Sequence, residues 1–252
     1  MGELAKWLMI SVIIPSFNQL EGLRKTIGAF TKYRGDDFEI VVIDGESTDG
    51  SSEWLMDHNS VIDKLLIETD KGIYDAMNKG VKLSCGDYLW FMGTGDLPID
   101  FGVQKMFSDI KKDLDKNPQK MYAYGVHLLS PREPGVPEFY NPVWDNTLLW
   151  RNTIHHQGGI YSRELFSSNK YDLRFRVLSD YHLHLRLLKK GINCICSSTM
   201  IAEVAPGGVS RNFSLSLYKE ERDMKRDVLT GWESMAQVVW TGMKWLNKKV
   251  RF

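Results

Sequence analysis

Short apolar runs alternate with amphipathic stretches through the first 92 residues, and this alternation constrains the fold more than any other feature of the chain. Residues 9–15, Met-Ile-Ser-Val-Ile-Ile-Pro, are rich in β-branched side chains and end on a proline. That is the pattern of a strand buried on both faces of a parallel sheet. Leu20, Leu23, Ile27 and Phe30 then recur at helical spacing. Residues 38–43, Phe-Glu-Ile-Val-Val-Ile, read as a second buried strand running into Asp44-Gly-Glu-Ser-Thr-Asp-Gly. This is a turn with a helix start inside it, and Ser47 or Thr48 is the expected cap of a helix reaching Met56. A shorter strand over 62–67, a helix over 72–83 and a strand from Tyr88 to Met92 complete a β-α-β-α-β-α-β order. Such an order implies an α/β fold with a mainly parallel sheet and helices on both faces. Ligands of these sheets bind at the carboxyl ends of the strands, where this sequence carries Asn18, Asp44 and Asp96.

The second half is less regular. A helix is expected over 101–114, and strands over 121–129 and 136–144 joined by the turn-rich Ser130-Pro-Arg-Glu-Pro-Gly. Helices are expected over 162–167 and 179–190, a strand over 192–197, and mostly helix from Ser214 onward. With no internal repeat and no linker, the 252 residues read as one domain over 1–213 with a helical C-terminal extension over 214–252. Residues 1–100 would form a nucleotide-binding half and 101–213 an acceptor-binding half.

Lys plus Arg and Asp plus Glu balance at 32 each. No basic excess exists to release counterions from phosphates, which argues against nucleic acid as a partner. Cys85, Cys194 and Cys196 are odd in number and match no zinc spacing. They are expected to be buried, reduced thiols, as in an intracellular protein. Residues 1–9 do not read as a signal peptide. No run approaches the roughly 20 apolar residues that span a bilayer. The expected location is cytoplasmic, with any membrane contact peripheral and on the inner face.

Four constellations could carry chemistry. Asp44, ending the second strand, can accept a hydrogen bond from a nucleobase N–H, or can serve as an ordinary turn aspartate. In Gly93-Thr94-Gly95-Asp96 an acid follows a central strand behind two glycines. It suits Mg²⁺ or Mn²⁺ bound together with a diphosphate, or a plain loop turn. Asp180 opens a helix, where the macrodipole favours negative charge with or without chemistry. In His155-His156-Gln157-Gly158, adjacent histidines seldom point the same way, so at most one is expected at a site.

The order of these motifs is more specific than any one of them. Ser11-Val-Ile-Ile-Pro-Ser-Phe-Asn18, Val42-Ile-Asp-Gly-Glu-Ser-Thr-Asp-Gly50, Asp70-Lys-Gly-Ile-Tyr-Asp-Ala-Met-Asn-Lys-Gly80 and Gly86-Asp-Tyr-Leu-Trp-Phe-Met-Gly-Thr-Gly-Asp96 together resemble bacterial family 2 glycosyltransferases of GT-A fold. His155-His-Gln-Gly-Gly-Ile-Tyr-Ser-Arg-Glu-Leu-Phe166 and Ser179-Asp-Tyr-His-Leu-His-Leu-Arg186 continue the resemblance, which covers about residues 9–210. It implies a nucleobase slot lined by Pro15 and Phe17, with Asp44 bonded to a uracil-type base and Asp70 near the ribose or base. It implies a metal-binding Asp96, a catalytic base at Asp180, and His156 and Gln157 at the acceptor or behind the reacting groups. Gly207-Gly-Val-Ser-Arg211 resembles a loop that closes over donor and metal. One departure stands out. The family's metal motif usually carries two acids, whereas Asp96 is the single acid here.

The implied activity is inverting transfer of a sugar from a nucleoside-diphosphate sugar to a saccharide or lipid-linked saccharide. Asp180 would take the acceptor's proton, and Mn²⁺ or Mg²⁺ would neutralise the leaving diphosphate. A sugar-nucleotide nucleotidyltransferase would usually carry a glycine-rich basic loop after strand one, where this chain has Ser-Phe-Asn-Gln. No Gly-x-Gly-x-x-Gly follows a strand, which disfavours a dehydrogenase. A non-catalytic nucleotide-sugar binder is the remaining alternative. Over 232–252, Met235, Val238, Gly242 and Trp245 fall near one helical stripe, with Lys244, Lys248, Lys249 and Arg251 at its end. Such a stripe either packs on the domain or docks on an anionic membrane surface.

Overall fold

A computed structural model describes residues 8–35, 37–113, 120–129, 137–206, 215–231, 233, 236 and 237. The first half follows the expected order: β1 (Ile10–Ser16), α1 (Leu20–Phe30), β2 (Phe38–Asp44), α2 (Ser51–Asp57), β3 (Lys64–Ile67), α3 (Ile73–Leu83) and β4 (Tyr88–Phe91). Then come β5 (Leu97–Pro98), α4 (Asp100–Lys112), β6 (Lys120–Leu128), β7 (Phe139–Tyr140), β8 (Gly159–Ser162), α5 (Ser179–Lys189), β9 (Asn193–Val204) and α6 (Leu215–Val228). The loops at 207–211 and the tail beyond 237 lie outside the described residues.

Among the described residues one nine-stranded sheet runs in the order β3-β2-β1-β4-β8-β6-β9-β5, with β7 paired to β6. β3, β2, β1 and β4 are mutually parallel. β8 then enters antiparallel between β4 and β6, so the sheet is parallel from β3 to β4 and mixed beyond it. This α/β arrangement is a GT-A architecture.

Period-two alternation of the strands builds the layers on the two faces. Val12, Ile14, Ile40, Val42 and Trp90 point to one side, where Leu23 and Ile27 of α1 and Val103 and Met106 of α4 cover them. Ile13, Val41, Ile43, Leu89 and Phe91 point to the other, under Met77 of α3 and Leu183 and Leu187 of α5. Because both faces are covered, the strands read as continuous apolar runs. A third cluster joins α5 to α6 through Tyr181, Leu185, Met224 and Leu229. The buried Lys225 ammonium fastens it, reaching Trp150 O, Glu221 and Gln237 Oε1, while Gln237 Nε2 donates to Leu149 O. Gln237 therefore packs on the domain.

Several local expectations are corrected. The α2 N-cap is Gly50, at φ 91°, rather than Ser47 or Thr48. Ser47 is occupied inside the preceding turn. The strand expected over 136–144 is only Phe139–Tyr140. Residues 159–162 form an unexpected strand, β8, and the short helix expected over 162–167 is a 3₁₀ helix over Arg163–Ser167. Four residues behind the Gly158-Gly159 pair are too short to announce a strand. Both glycines are nevertheless required, since a Cβ at 158 would lie 2.3 Å from Tyr124 O and one at 159 would lie 2.5 Å from the Tyr161 hydroxyl. Cys85 and Cys196 are exposed and Cys194 is half-buried, so the expected burial of the thiols does not hold.

Helix α4 lies so close to β9 that a Cβ on Gly102 would sit 2.0 Å from Met200 O. Gly28, in α1, has no atom within 4 Å of the same position. Alanine is worth about 1 kcal/mol more than glycine in a helix interior, whereas overpacking costs roughly 1–3 kcal/mol or more. Gly28→Ala is expected to raise the urea midpoint and Gly102→Ala to lower it, although both introduce the same methyl group.

Candidate active site

After β1 the chain crosses to β2 on one side of it and later returns to β4 on the other. The order reverses between β1 and β4, and the loops following β1, β2 and β4 meet above that switch point. They are laced together. Asn18 N–H donates to Ser47 Oγ, Thr48 N–H donates to Asn18 Oδ1, and Asp49 accepts from the Leu20 N–H that opens α1.

Phe17 stands 60% exposed at the end of β1. A Cβ on Gly45 would lie 3.1 Å from the Phe17 ring and 2.7 Å from Asp70 Oδ2, so the ring and the carboxylate close over bare glycine backbone. Asp70 Oδ1 accepts from Gly72 N–H at 2.7 Å. Together they outline a slot with an apolar plate and a hydrogen-bond acceptor. Pro15 is buried within β1, one row below. Asp44 is 0% exposed. Its Oδ1 accepts from Ser47 N–H and Ser52 Oγ, and its Oδ2 from Ser47 Oγ. Asp44 thus holds the turn at the end of β2, the place where a direct bond to a base is expected.

Asp96 is 3% exposed. Its Oδ2 accepts from Gly93 N–H at 2.9 Å and Gln157 Nε2 at 2.5 Å, and its Oδ1 accepts from Ala205 N–H at 2.8 Å. Burial raises its pKa to about 6, against the opposing pull of these donors. The turn is braced from α1. The Thr26 hydroxyl donates to Asp96 O and accepts from Gly95 N–H. The Gly93 departure has a local cause, since a Cβ there would lie 2.7 Å from Asp96 Oδ2. The carboxylate occupies the space a larger residue would need.

These features fit a divalent cation. A buried carboxylate is raised in pKa because its charge lacks compensation, and Oδ1 keeps acceptor capacity beyond its single bond. Gln157 Oε1, on the same amide that touches Asp96, is buried without a protein partner. A second grouping, Asp172, His182 and Asp227, has candidate ligand atoms within 4.8 Å of one another. There Arg174 already donates to both carboxylates.

Asp180 lies in the first turn of α5, 8% exposed. The Tyr74 hydroxyl is 3.0 Å from its Oδ1 and 2.8 Å from Val177 O. Burial drives the Tyr74 pKa well up, so the group remains a phenol donor. His156 Nδ1 is 3.9 Å from Asp180 Oδ2. Burial holds His156 down to about 4, so it is a neutral imidazole near pH 7. Adjacent residues thus reach both carboxylates: His156 neighbours Asp180, while Gln157 bonds Asp96. His155 and His156 stack, with ring centroids 5.4 Å apart and planes 17° apart.

Asp180, His156, Gln157 and Asp96 are therefore brought together, while Phe17 and Asp70 meet over Gly45. Thr26 and Tyr74 were not singled out from the sequence. Both look like core-facing helix residues by spacing, and only tertiary contact reveals their roles.

Comparison with known proteins identifies the family. Residues 11–125 match the model of Glycosyl transferase family 2. The chain is 30% identical to a PGL/p-HBAD biosynthesis glycosyltransferase of Mycobacterium tuberculosis over 183 residues, 71% of this chain and 69% of that protein. It is 27% identical to the UDP-Glc:alpha-D-GlcNAc-diphosphoundecaprenol beta-1,3-glucosyltransferase of Escherichia coli over 204 residues, 77% of this chain and 78% of that one. In structure, it resembles residues 1–349 of S. aureus TarS, crystallised with UDP-GlcNAc, at a TM-score of 0.68 and 15% identity over 86% of this chain. The chain spans 65% of that fragment and 39% of a longer TarS chain. By motif order, strand topology and sequence identity, the chain belongs to glycosyl transferase family 2 and carries the GT-A fold.

Proposed function

We propose that this protein transfers a sugar, with inversion, from a uridine-diphosphate sugar to a hydroxyl of a saccharide or lipid-linked saccharide in cell-surface glycan or glycolipid synthesis. The observation that carries this reading is the arrangement of two buried carboxylates, Asp180 and Asp96, touched by neighbouring residues of one short turn. One carboxylate serves the acceptor and the other the leaving group.

Asp180 accepts the proton of the attacking hydroxyl. The acceptor oxygen bonds to the anomeric carbon as the bond to the diphosphate breaks on the opposite face, so configuration inverts in a single displacement. Tyr74 orients Asp180 as a neutral donor, and neutral His156 adds no positive charge to weaken it as a base. Asp96 would hold Mn²⁺ or Mg²⁺ with the donor's diphosphate oxygens, and such an ion would neutralise charge on the departing diphosphate. Phe17 stacks on the base and Asp70 accepts from it, while Asp44 fixes the loop beneath. The uridine assignment is supported by the UDP-sugar in the name of the Escherichia coli relative and by the TarS complex.

Among the described residues no helix is long and apolar enough to cross a membrane. Placement at the inner membrane face remains part of the proposal, through residues beyond Gln237.

Asp180→Asn is expected to retain UDP binding and to lose kcat by on the order of 10²-fold or more. Near-normal turnover would remove Asp180 from the reaction. Asp96→Ala is expected to abolish the tightening of UDP binding by Mn²⁺ or Mg²⁺ in calorimetry. Unchanged metal dependence would assign Asp96 to structure alone. In competition for the donor site, UDP or TDP is expected to outrank GDP, and a GDP preference would overturn the uracil reading.

A further inference from the structure

Helix α5 carries Asp180 as its second residue, yet its own sequence does little to fix that turn. A helix start leaves N–H groups without partners, commonly met by an N-cap oxygen and by a Glu or Gln three residues on. Here the N-cap is Leu178, which has no side-chain oxygen. Three residues on stands Tyr181, whose hydroxyl is committed to Leu148 O. The Ser179 hydroxyl is taken by Asp172 N–H. The missing acceptor comes from another helix. Glu220 of α6 accepts through Oε1 from Val177 N–H at 2.7 Å and from Leu178 N–H at 2.8 Å.

The peptide between Val177 and Leu178 is thereby held at both ends. Its N–H points to Glu220, and its carbonyl oxygen lies 2.8 Å from the Tyr74 hydroxyl, which is itself 3.0 Å from Asp180 Oδ1. A planar peptide cannot turn its N–H without turning its C=O. Loss of the Glu220 bonds would therefore alter how the one Tyr74 proton is shared between Val177 O and Asp180. Burial above all, then the charge of Asp180 and, further down, that of Glu220, drives the Tyr74 pKa up and keeps that proton on the phenol.

The rest of α6 holds Glu220 in register. Glu220, Met224 and Asp227 follow one stripe of the helix. Met224 is fully buried against Tyr181 and Leu185, and Asp227 Oδ2 is 2.9 Å from His182 Nε2. The stripe sets α6 against the first two turns of α5. It lies beyond residues 11–125, which match the family model.

We infer that Glu220 is a positioning residue for Asp180: a carboxylate supplied by the C-terminal extension fixes the turn that aims the base. The inference rests on Asp180 as the base, and the variants below separate the two.

UDP release from UDP-Glc and UDP-GlcNAc, with water as the acceptor, would be measured on the full chain beside UDP affinity and thermal midpoint. Glu220→Ala is expected to lower kcat about tenfold or more with UDP affinity unchanged, because misplacing a reacting group by about 1 Å costs on the order of 10²-fold. Glu220→Gln keeps an oxygen for both N–H groups and is expected to stay within about threefold of the wild type. Met224→Ala leaves the turn intact while opening a cavity, and is expected to lower the thermal midpoint at least as far as Glu220→Ala but to keep kcat within about threefold. In the Asp180→Asn background, Glu220→Ala should add no further loss. Near-normal turnover by Glu220→Ala, equal losses in the Gln and Ala variants, or an equal kcat loss in Met224→Ala would overturn the inference. Near-normal turnover by Asp180→Asn would instead overturn the base reading. Where the wild type releases UDP from neither donor, crystals of Glu220→Ala decide. The Tyr74 hydroxyl is then expected beyond hydrogen-bond distance of Asp180, and retention of that contact overturns the inference.

Discussion

A carboxylate taken out of water must have its charge answered, and Asp96 organises the site around that requirement. It is 3% exposed, and its protein partners come from three separated parts of the chain, Gly93, Gln157 and Ala205. Thr26 braces the same turn from α1. β4 delivers the acid, β9 leads into Ala205, and the turn before β8 supplies Gln157. The two halves of the domain meet at this group. Leaving such a carboxylate without these donors would cost several kcal/mol, so the loops have little freedom to separate. Compensation is still incomplete, as the raised pKa of about 6 indicates, and that residual demand is what makes the position suited to a cation.

The parallel side of the fold was legible because strands covered on both faces must be apolar throughout, and helices between them must be apolar on one side. Val41 and Val42 face opposite layers, so neither could be polar. Of the later strands, β6 matches the run expected over 121–129, whereas β8 gave no such signal. β8 is held in the sheet by its neighbours, while its own sequence is only four residues beginning at Gly159. β9 is announced over 192–197, but its continuation to Val204 is hidden behind the polar Ser197-Ser198-Thr199.

The site was legible to the extent that its residues sit at strand ends or helix starts. Asp96, Asp180, Phe17 and Asp70 can be found this way, because position along the chain predicts position above the sheet. Asp44 illustrates the limit. The same motif position serves a base or a turn, and the neighbouring hydroxyls of Ser47 and Ser52 that tie it into the turn are not announced by spacing. Tyr74 marks another limit. Its spacing on α3 is that of a core residue, and its value lies in a contact 106 residues away.

In the proposed reaction, the stacked histidines and the following glutamine would form a gauge between its two ends. Consecutive Cα atoms are held about 3.8 Å apart by covalent geometry, so the peptide joining His156 to Gln157 cannot stretch to suit a different separation of base and leaving group. Over evolutionary time, a lineage built on this turn can alter which sugars it accepts by remodelling the grooves on either flank. It cannot readily alter the distance across which the sugar moves. Diversity among such enzymes should therefore accumulate at the rims of the site, while the interval at its centre stays constant.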